Sequence, residues 1–131
     1  MPMKGPVATL ALMGGVKVLK RYISKGGDSV GTVHFAYLVD LGKDRVGFFT
    51  LYDGPFDKYA QDFADQLGPA FDLIFKFTAT KPQTPTSKNA GPFTKWVKDH
   101  DLAPLAFYSA YPGLLVQDVK ALLADSASAQ A

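Results

Sequence analysis

The feature that most constrains this fold is a pair of strand-like segments, residues 33–41 and 45–52, with apolar side chains on both faces. Successive residues of a strand point to opposite sides of a sheet, so each apolar face needs its own cover. In a chain of 131 residues, the helices can cover one of these faces. We therefore expect the second face to meet a partner subunit or a ligand.

The turn between these segments predicts how they pair. A two-residue turn at Gly42-Lys43 has glycine where a type II′ turn requires it, and it sets Asp40 opposite Arg45. In this register one face is bulky and aromatic, with Val33, Phe35, Tyr37, Val39, Val46, Phe48, Thr50 and Tyr52. The other face is smaller, with His34, Ala36, Leu38, Gly47, Phe49, Leu51 and Asp53. A slip of one residue in either strand would exchange its faces.

The first thirty residues and the segment after the hairpin predict further elements. Pro6–Met13 is a short apolar run that predicts a strand, and residues 16–25 have the spacing of a helix that ends at Gly26-Gly27. A single helix across both segments is the alternative. Asp53-Gly54-Pro55 begins an amphipathic helix that reaches residue 75.

The second half of the chain begins with a loop over residues 78–91. A short helix follows from Pro92, residues 105–111 predict a strand, and residues 115–123 predict a final helix. This order predicts one α+β domain over residues 1–125, with a ferredoxin-like four-stranded antiparallel sheet and helices on one face. Residues 126–131 have the composition of a disordered tail.

Composition excludes several classes of protein. The net charge of +2 and the absence of a basic motif argue against a nucleic-acid binder, and the absence of cysteine excludes disulfides and thiolate chemistry. No apolar run approaches the roughly 20 residues of a membrane span. No convincing signal peptide is recognisable, so we expect a cytoplasmic protein without membrane contact.

Four segments carry a resemblance to a known superfamily. HFAYLVDL, RVGFFTLYDG and PFDKYAQDFAD, with HDLAPLAFYSAYPG later, resemble ferredoxin-like proteins that pair into dimeric α/β barrels. Within these, the chain is similar to uncharacterised bacterial members that are distantly related to dye-decolorising heme peroxidases. The resemblance covers roughly residues 5–125 and implies a homodimer. The peroxidases carry Gly-x-x-Asp-Gly, whereas residues 50–54 here are Thr-Leu-Tyr-Asp-Gly, which lack the first glycine. The match identifies no proximal heme histidine, so the cofactor is left open, with heme as one option.

The strongest candidate for chemistry is the pair His34 and Asp53. The predicted register places them diagonally on the same face, and an imidazole oriented by a carboxylate can act as a general base. The alternative is that Asp53 caps the helix that follows it, while His34 is a polar residue at the end of the sheet. The small residues of that face leave room for a ligand, for which we predict a binding set of Ala36, Gly47, Phe49, Leu51 and Tyr108.

Other polar groups are better explained structurally. The sequence Asp99-His100-Asp101 does not predict a metal site, because consecutive residues of a helix point in different directions. The chain has only one other histidine to complete such a site. Buried tyrosines usually hydrogen-bond to a neighbour and need no catalytic role.

Three functions are consistent with these features. The first is a homodimer that binds a small apolar or aromatic ligand between sheet and helices, as an enzyme if His34 and Asp53 are catalytic. The second is a non-enzymatic interaction module that uses its sheet to form an oligomer. The third, from the resemblance alone, is a heme-associated protein.

Overall fold

The first thirty residues form two consecutive helices, α1 (Pro6–Gly14) and α2 (Val16–Val30), in the computed structural model, which describes residues 1–130. The predicted strand over Pro6–Met13 is therefore wrong. Pro6 occupies the first turn of α1, where a missing N–H costs nothing, and the Ala, Leu and Met residues that follow are strong helix formers. The expected end of α2 at Gly26-Gly27 is also too early, because α2 continues to Val30 and is capped by Gly31, whose φ of 71° is left-handed.

The hairpin forms as predicted, but in a different register. Strands β1 (Val33–Gly42) and β2 (Arg45–Tyr52) are antiparallel, and Lys43 and Asp44 form the turn with φ values of 52° and 54°. Positive φ at both central residues is typical of a type I′ turn rather than the type II′ turn predicted at Gly42-Lys43. Tyr37 consequently pairs with Phe49 instead of Phe48. The irregularities at both ends of the ladder absorb this one-residue slip.

The slip decides which side chains share a face. Leu38 pairs with Phe48, and both side chains lie on the face that packs against the core, called the inner face below. In β1, the residues that the predicted register placed on the smaller face therefore point to the core. The opposite side of the sheet, called the outer face below, carries exposed apolar side chains: Phe35, Tyr37, Leu41, Phe49 and Leu51. One face is therefore covered by helices, and the other is exposed to solvent in this chain.

The core is built around helix α3 (Phe56–Phe75), which follows the predicted amphipathic pattern and continues through Pro69. The Phe71 ring lies 5.2 Å from that of Phe48 on the sheet and 5.0 Å from that of Phe93. Phe93 belongs to α4 (Ala90–His100), so α3 is packed between the inner face and α4. A cluster of aromatic rings at these distances contributes packing energy beyond the area that it buries.

The predicted ferredoxin-like four-stranded sheet is wrong, and so is the dimeric α/β barrel that it implied. Within residues 1–130 the sheet has two strands and is accompanied by five helices. The residues predicted as a first strand form α1. The residues predicted as a last strand, 105–111, lie in an irregular exposed segment between Pro104 and Pro112. Pro104 and Pro112 stand on either side of the segment, and none of its residues pairs with β1 or β2.

The chain ends in α5 (Val116–Gln130). This helix starts where the sequence predicted and continues over residues 126–130, for which composition predicted a disordered tail; Ala131 lies outside the described residues. None of the helices in residues 1–130 combines the length and the apolar character that crossing a bilayer requires.

Candidate functional site

The predicted His34 and Asp53 pair is in direct contact. His34 lies near the start of β1 and Asp53 directly follows β2, so the antiparallel hairpin brings them together. The His34 Nε2 atom is 2.8 Å from Asp53 Oδ1, and each side chain is about one-fifth exposed. The imidazole is therefore fixed by the carboxylate while part of its ring stays accessible.

The second carboxylate oxygen of Asp53 holds the start of α5. The backbone N–H of Val116 donates to Asp53 Oδ2 over 2.7 Å, although the two residues are 63 positions apart. The Asp53 N–H in turn donates to the Thr32 carbonyl oxygen at 2.9 Å. Asp53 does not cap α3, whose N-cap residue is Pro55. The alternative interpretation of Asp53 as the cap of the next helix is thus wrong, because its oxygens bind a histidine and a distant helix.

These contacts keep Asp53 ionised. Desolvation by burial alone would raise the pKa of its carboxyl, but the hydrogen bond from Val116, with the bond and charge of His34, lowers the pKa below its ordinary value. An ionised carboxylate can only accept hydrogen bonds, so the nitrogen that faces it must carry a proton. In a neutral His34 ring this leaves Nδ1 with the free lone pair, the arrangement of an oriented general base.

A groove runs beside His34. Its volume is about 730 Å³, within the range of small-molecule sites. Its walls come from α2, β1, the segment before α5 and α5 itself, and they are mainly apolar, with Ile23, Val33, Phe35, Leu114, Val119 and Leu123 among them. Asp28 of α2 and Lys120 of α5 add one charge of each sign to the lining. The site therefore combines an apolar body with a few polar groups.

Only one of the predicted ligand-binding residues lines this groove. Ala36 does, whereas Phe49 and Leu51 lie on the outer face and Tyr108 lies in the exposed segment before α5. The expected gap at Gly47 is filled: a Cβ added there would come within 2.6 Å of the Phe49 ring. The groove residues on α2 and α5 were missed. Their helical spacing was recognisable, but nothing in the sequence indicates that these two helices flank β1.

The tyrosines near the site have structural contacts. The ring of Tyr52 stacks on that of Tyr59 with centroids 3.8 Å apart, and the Tyr59 hydroxyl shares a hydrogen bond with Thr50. Burial raises the pKa of Tyr59 to about 12, although the bond to Thr50 opposes this shift. Tyr59 stays protonated at neutral pH and serves to join α3 to β2.

The second histidine, His100, contacts Trp96 of α4 and does not line the groove. His100 Nδ1 is 2.8 Å from the Trp96 carbonyl oxygen, and its ring stacks on the Trp96 indole at 4.1 Å. Across residues 1–130 no three His, Cys, Asp or Glu residues are grouped closely enough to hold a metal ion. For heme, His34 would have to release Asp53 from Nε2 or use Nδ1, which is crowded by its own Cβ, so this site fits heme poorly.

Comparison with known proteins adds no family to this description, since no protein-family model, curated protein or solved structure matches the chain. The resemblance noted from the sequence stays a prediction, without the fold that it implied.

Proposed function

We propose that this protein binds a small, largely apolar ligand in the groove, and that His34 Nδ1 accepts a hydrogen bond from a hydroxyl or N–H group of that ligand. The observation that carries the proposal is the hydrogen bond of 2.8 Å between His34 Nε2 and Asp53 Oδ1 beside the groove. It directs the free lone pair away from the carboxylate. If the bound ligand has a sufficiently acidic proton, the same nitrogen acts as the general base of an enzyme.

A pair of probes with the same aromatic body tests the proposal. Phenol carries the hydroxyl that His34 would accept, and toluene replaces it with a methyl group. In NMR titrations we expect both to shift the amide signals of residues 33–36 and of Val119. We expect phenol to bind roughly 5-fold more tightly, the equivalent of about one neutral hydrogen bond.

Two variants make the test specific. His34→Ala should abolish the preference for phenol while toluene still binds, and Val119→Trp should fill the groove and block both probes. His100→Ala is the matched control, because it removes the other histidine, which does not line the groove. The proposal fails if neither probe shifts groove signals, or if His34→Ala and His100→Ala leave the same preference for phenol.

The exposed outer face favours a second candidate function, that of a homodimeric interaction module without enzymatic activity. Phe35 and Tyr37 on this face are more than half exposed. Association through this face would not need the His34 side chain, although Phe35 also lines the groove. We expect His34→Ala to leave the mass of the native protein in solution unchanged, whereas Tyr37→Ser should lower it if this candidate is correct.

A further inference from the structure

The outer face is a preformed aromatic surface. Its five side chains, Phe35, Tyr37, Leu41, Phe49 and Leu51, are between 38% and 67% exposed. The rings of Tyr37 and Phe49 are stacked with centroids 5.3 Å apart and planes only 10° from parallel. The Phe49 ring also lies over Gly47, which leaves no space for a Cβ there. The face is therefore ordered before any partner arrives.

A second apolar surface, called the arm below, consists of residues 102–115. It contains no charged residue and adopts neither helix nor strand. Leu102, Leu105, Phe107, Tyr108 and Tyr111 are each at least 66% exposed. Such a run of apolar residues without cover or secondary structure is unusual for an isolated chain, because its burial would be favourable.

Both ends of the arm are attached near the end of β2. The residue before it, Asp101, directly follows α4, whose last turn is joined to the first turn of α3 by the ion pair of 2.6 Å between Lys98 and Asp57. The residue after it, Val116, donates its N–H to Asp53. The arm therefore leaves and rejoins the body of the protein near the end of β2, and the side chains in its middle are exposed.

The exposed area indicates how these two surfaces are used. The three aromatic residues of the outer face expose roughly 330 Å² and those of the arm roughly 450 Å², taking about 200 Å² for each complete side chain. Either value alone is in the range of roughly 300–600 Å² found for the largest patch of ordinary monomers. Together they approach the roughly 800 Å² that each partner buries in a standard interface.

We propose that the arm of one copy lies on the outer face of a second copy, and reciprocally, in a dimer with two-fold symmetry. Such an interface is closed, since each copy supplies one arm and one face. Both surfaces are uncharged and aromatic, so their contact leaves no buried charge without a partner. The inference names the contact for the interaction-module candidate and requires no ligand in the groove. Phe35 of the outer face and Tyr111 and Leu114 of the arm also line the groove, so docking of the arm would change that wall.

Cysteine cross-linking tests which surfaces meet, and the chain has no cysteine of its own. The Tyr37→Cys chain is mixed with an isotope-labelled Phe107→Cys chain and oxidised, and the products are identified by mass. We expect disulfides between unlike chains to dominate. A Leu10→Cys chain is the matched control, because Leu10 is an exposed apolar residue of α1 outside both surfaces. It should not be linked to the Phe107→Cys chain.

Sedimentation velocity measures the same contact without cysteine. The 131-residue chain should sediment with twice its mass of 14.1 kDa. Tyr108→Ser and Tyr37→Ser should each weaken the dimer by roughly 30-fold, the usual effect of removing a central aromatic residue. Leu10→Ser should leave it unchanged. Tyr108 is almost fully exposed in the single chain, so its loss does not threaten folding.

Three results would overturn the inference. A monomer at every concentration would remove both the arm contact and the interaction-module candidate. If Tyr37→Ser weakens the dimer and Tyr108→Ser does not, the outer face forms the interface but the arm takes no part in it. A chain with both Tyr37→Cys and Phe107→Cys that cross-links only within itself would show that the arm covers its own sheet.

Discussion

The substitution Asp53→Asn separates the two contacts of the Asp53 carboxylate, one with His34 and one with the Val116 N–H. The Val116 N–H can only donate, so the amide oxygen of the new side chain must face it. The amide NH₂ then faces His34 Nε2, which has to lose its proton and accept. The imidazole proton moves to Nδ1, and the lone pair that we assign to ligand binding disappears.

The cost in stability follows from the two hydrogen bonds, of 2.8 and 2.7 Å, that the carboxylate accepts. Hydrogen bonds to a charged group contribute about 1.5–3 kcal/mol each, against about 0.5–1.5 kcal/mol for neutral pairs. The difference for two bonds is about 2 kcal/mol, and partial exposure of both side chains reduces it. We therefore expect Asp53→Asn to lower the free energy of unfolding at neutral pH by about 1–2 kcal/mol.

The stability difference between the parent protein and Asp53→Asn should depend on pH. The pKa of Asp53 is lowered in the folded state, so its stabilising contribution is present above the unfolded-state pKa of about 3.9 and is lost as the pH falls through the folded pKa. The asparagine side chain of the variant has no such titration. The difference between the two proteins should therefore be largest near neutral pH and should shrink in acid, as the carboxyl of the parent protein takes up its proton below the unfolded-state value.

Urea unfolding followed by the fluorescence of Trp96, the single tryptophan, measures the stability, and ¹⁵N shifts of the imidazole measure the tautomer. Asp99→Asn is the control, since Asp99 pairs with Lys95 on an exposed helix surface and should change stability little. The reasoning is refuted if Asp53→Asn costs no more than this control, if the difference persists undiminished in acid, or if Nε2 keeps its proton.

Two further substitutions test the frame that positions the site. Gly26→Ala should destabilise the protein by about 1–2 kcal/mol, because a Cβ there would lie 2.7 Å from a main-chain oxygen of α3. Gly91→Ala is the control: a Cβ there would meet nothing within 4 Å, so thermal melting should show a neutral or stabilising effect. Equal effects of the two substitutions would contradict this packing. Asp72→Asn should cost about 1 kcal/mol, because its carboxylate accepts from both the N–H and the hydroxyl of buried Thr86; an effect no larger than that of Asp99→Asn would contradict it.

The sequence was sufficient where a periodic pattern coincided with a clear terminus. The residues of α3 repeat at helical spacing and begin after Gly54-Pro55, and the hairpin is marked by two strand-like runs around a short turn. It was insufficient where an element depends on a distant partner. Pro6–Met13 is apolar and short enough for either a strand or a helix. The segment is a helix in the structure, and Leu12 packs into the core from it.

The site was predicted in part for the same reason. His34 and Asp53 lie at the adjacent ends of two neighbouring strands, so their contact needs only the hairpin, and it survives the one-residue slip in register. The groove needs α2 and α5 on either side of β1, and no local pattern specifies that arrangement. Of the predicted ligand-binding residues only Ala36 lines the groove, because the slip places Gly47, Phe49 and Leu51 on the opposite face from Ala36.

Asp53 is the point at which the two proposed surfaces meet. One oxygen fixes His34 in the groove, and the other fixes Val116, where the arm rejoins the body of the protein. Loss of the His34 contact alone should alter ligand preference and leave the arm in place, whereas loss of the Val116 contact should free one end of the arm. Because Asp53→Asn keeps an acceptor for Val116 but reverses the donor towards His34, it should affect binding of phenol, whose hydroxyl can also accept from Nδ1–H, less than His34→Ala does, and it should spare the dimer. A variant without any acceptor, Asp53→Ala, should weaken both.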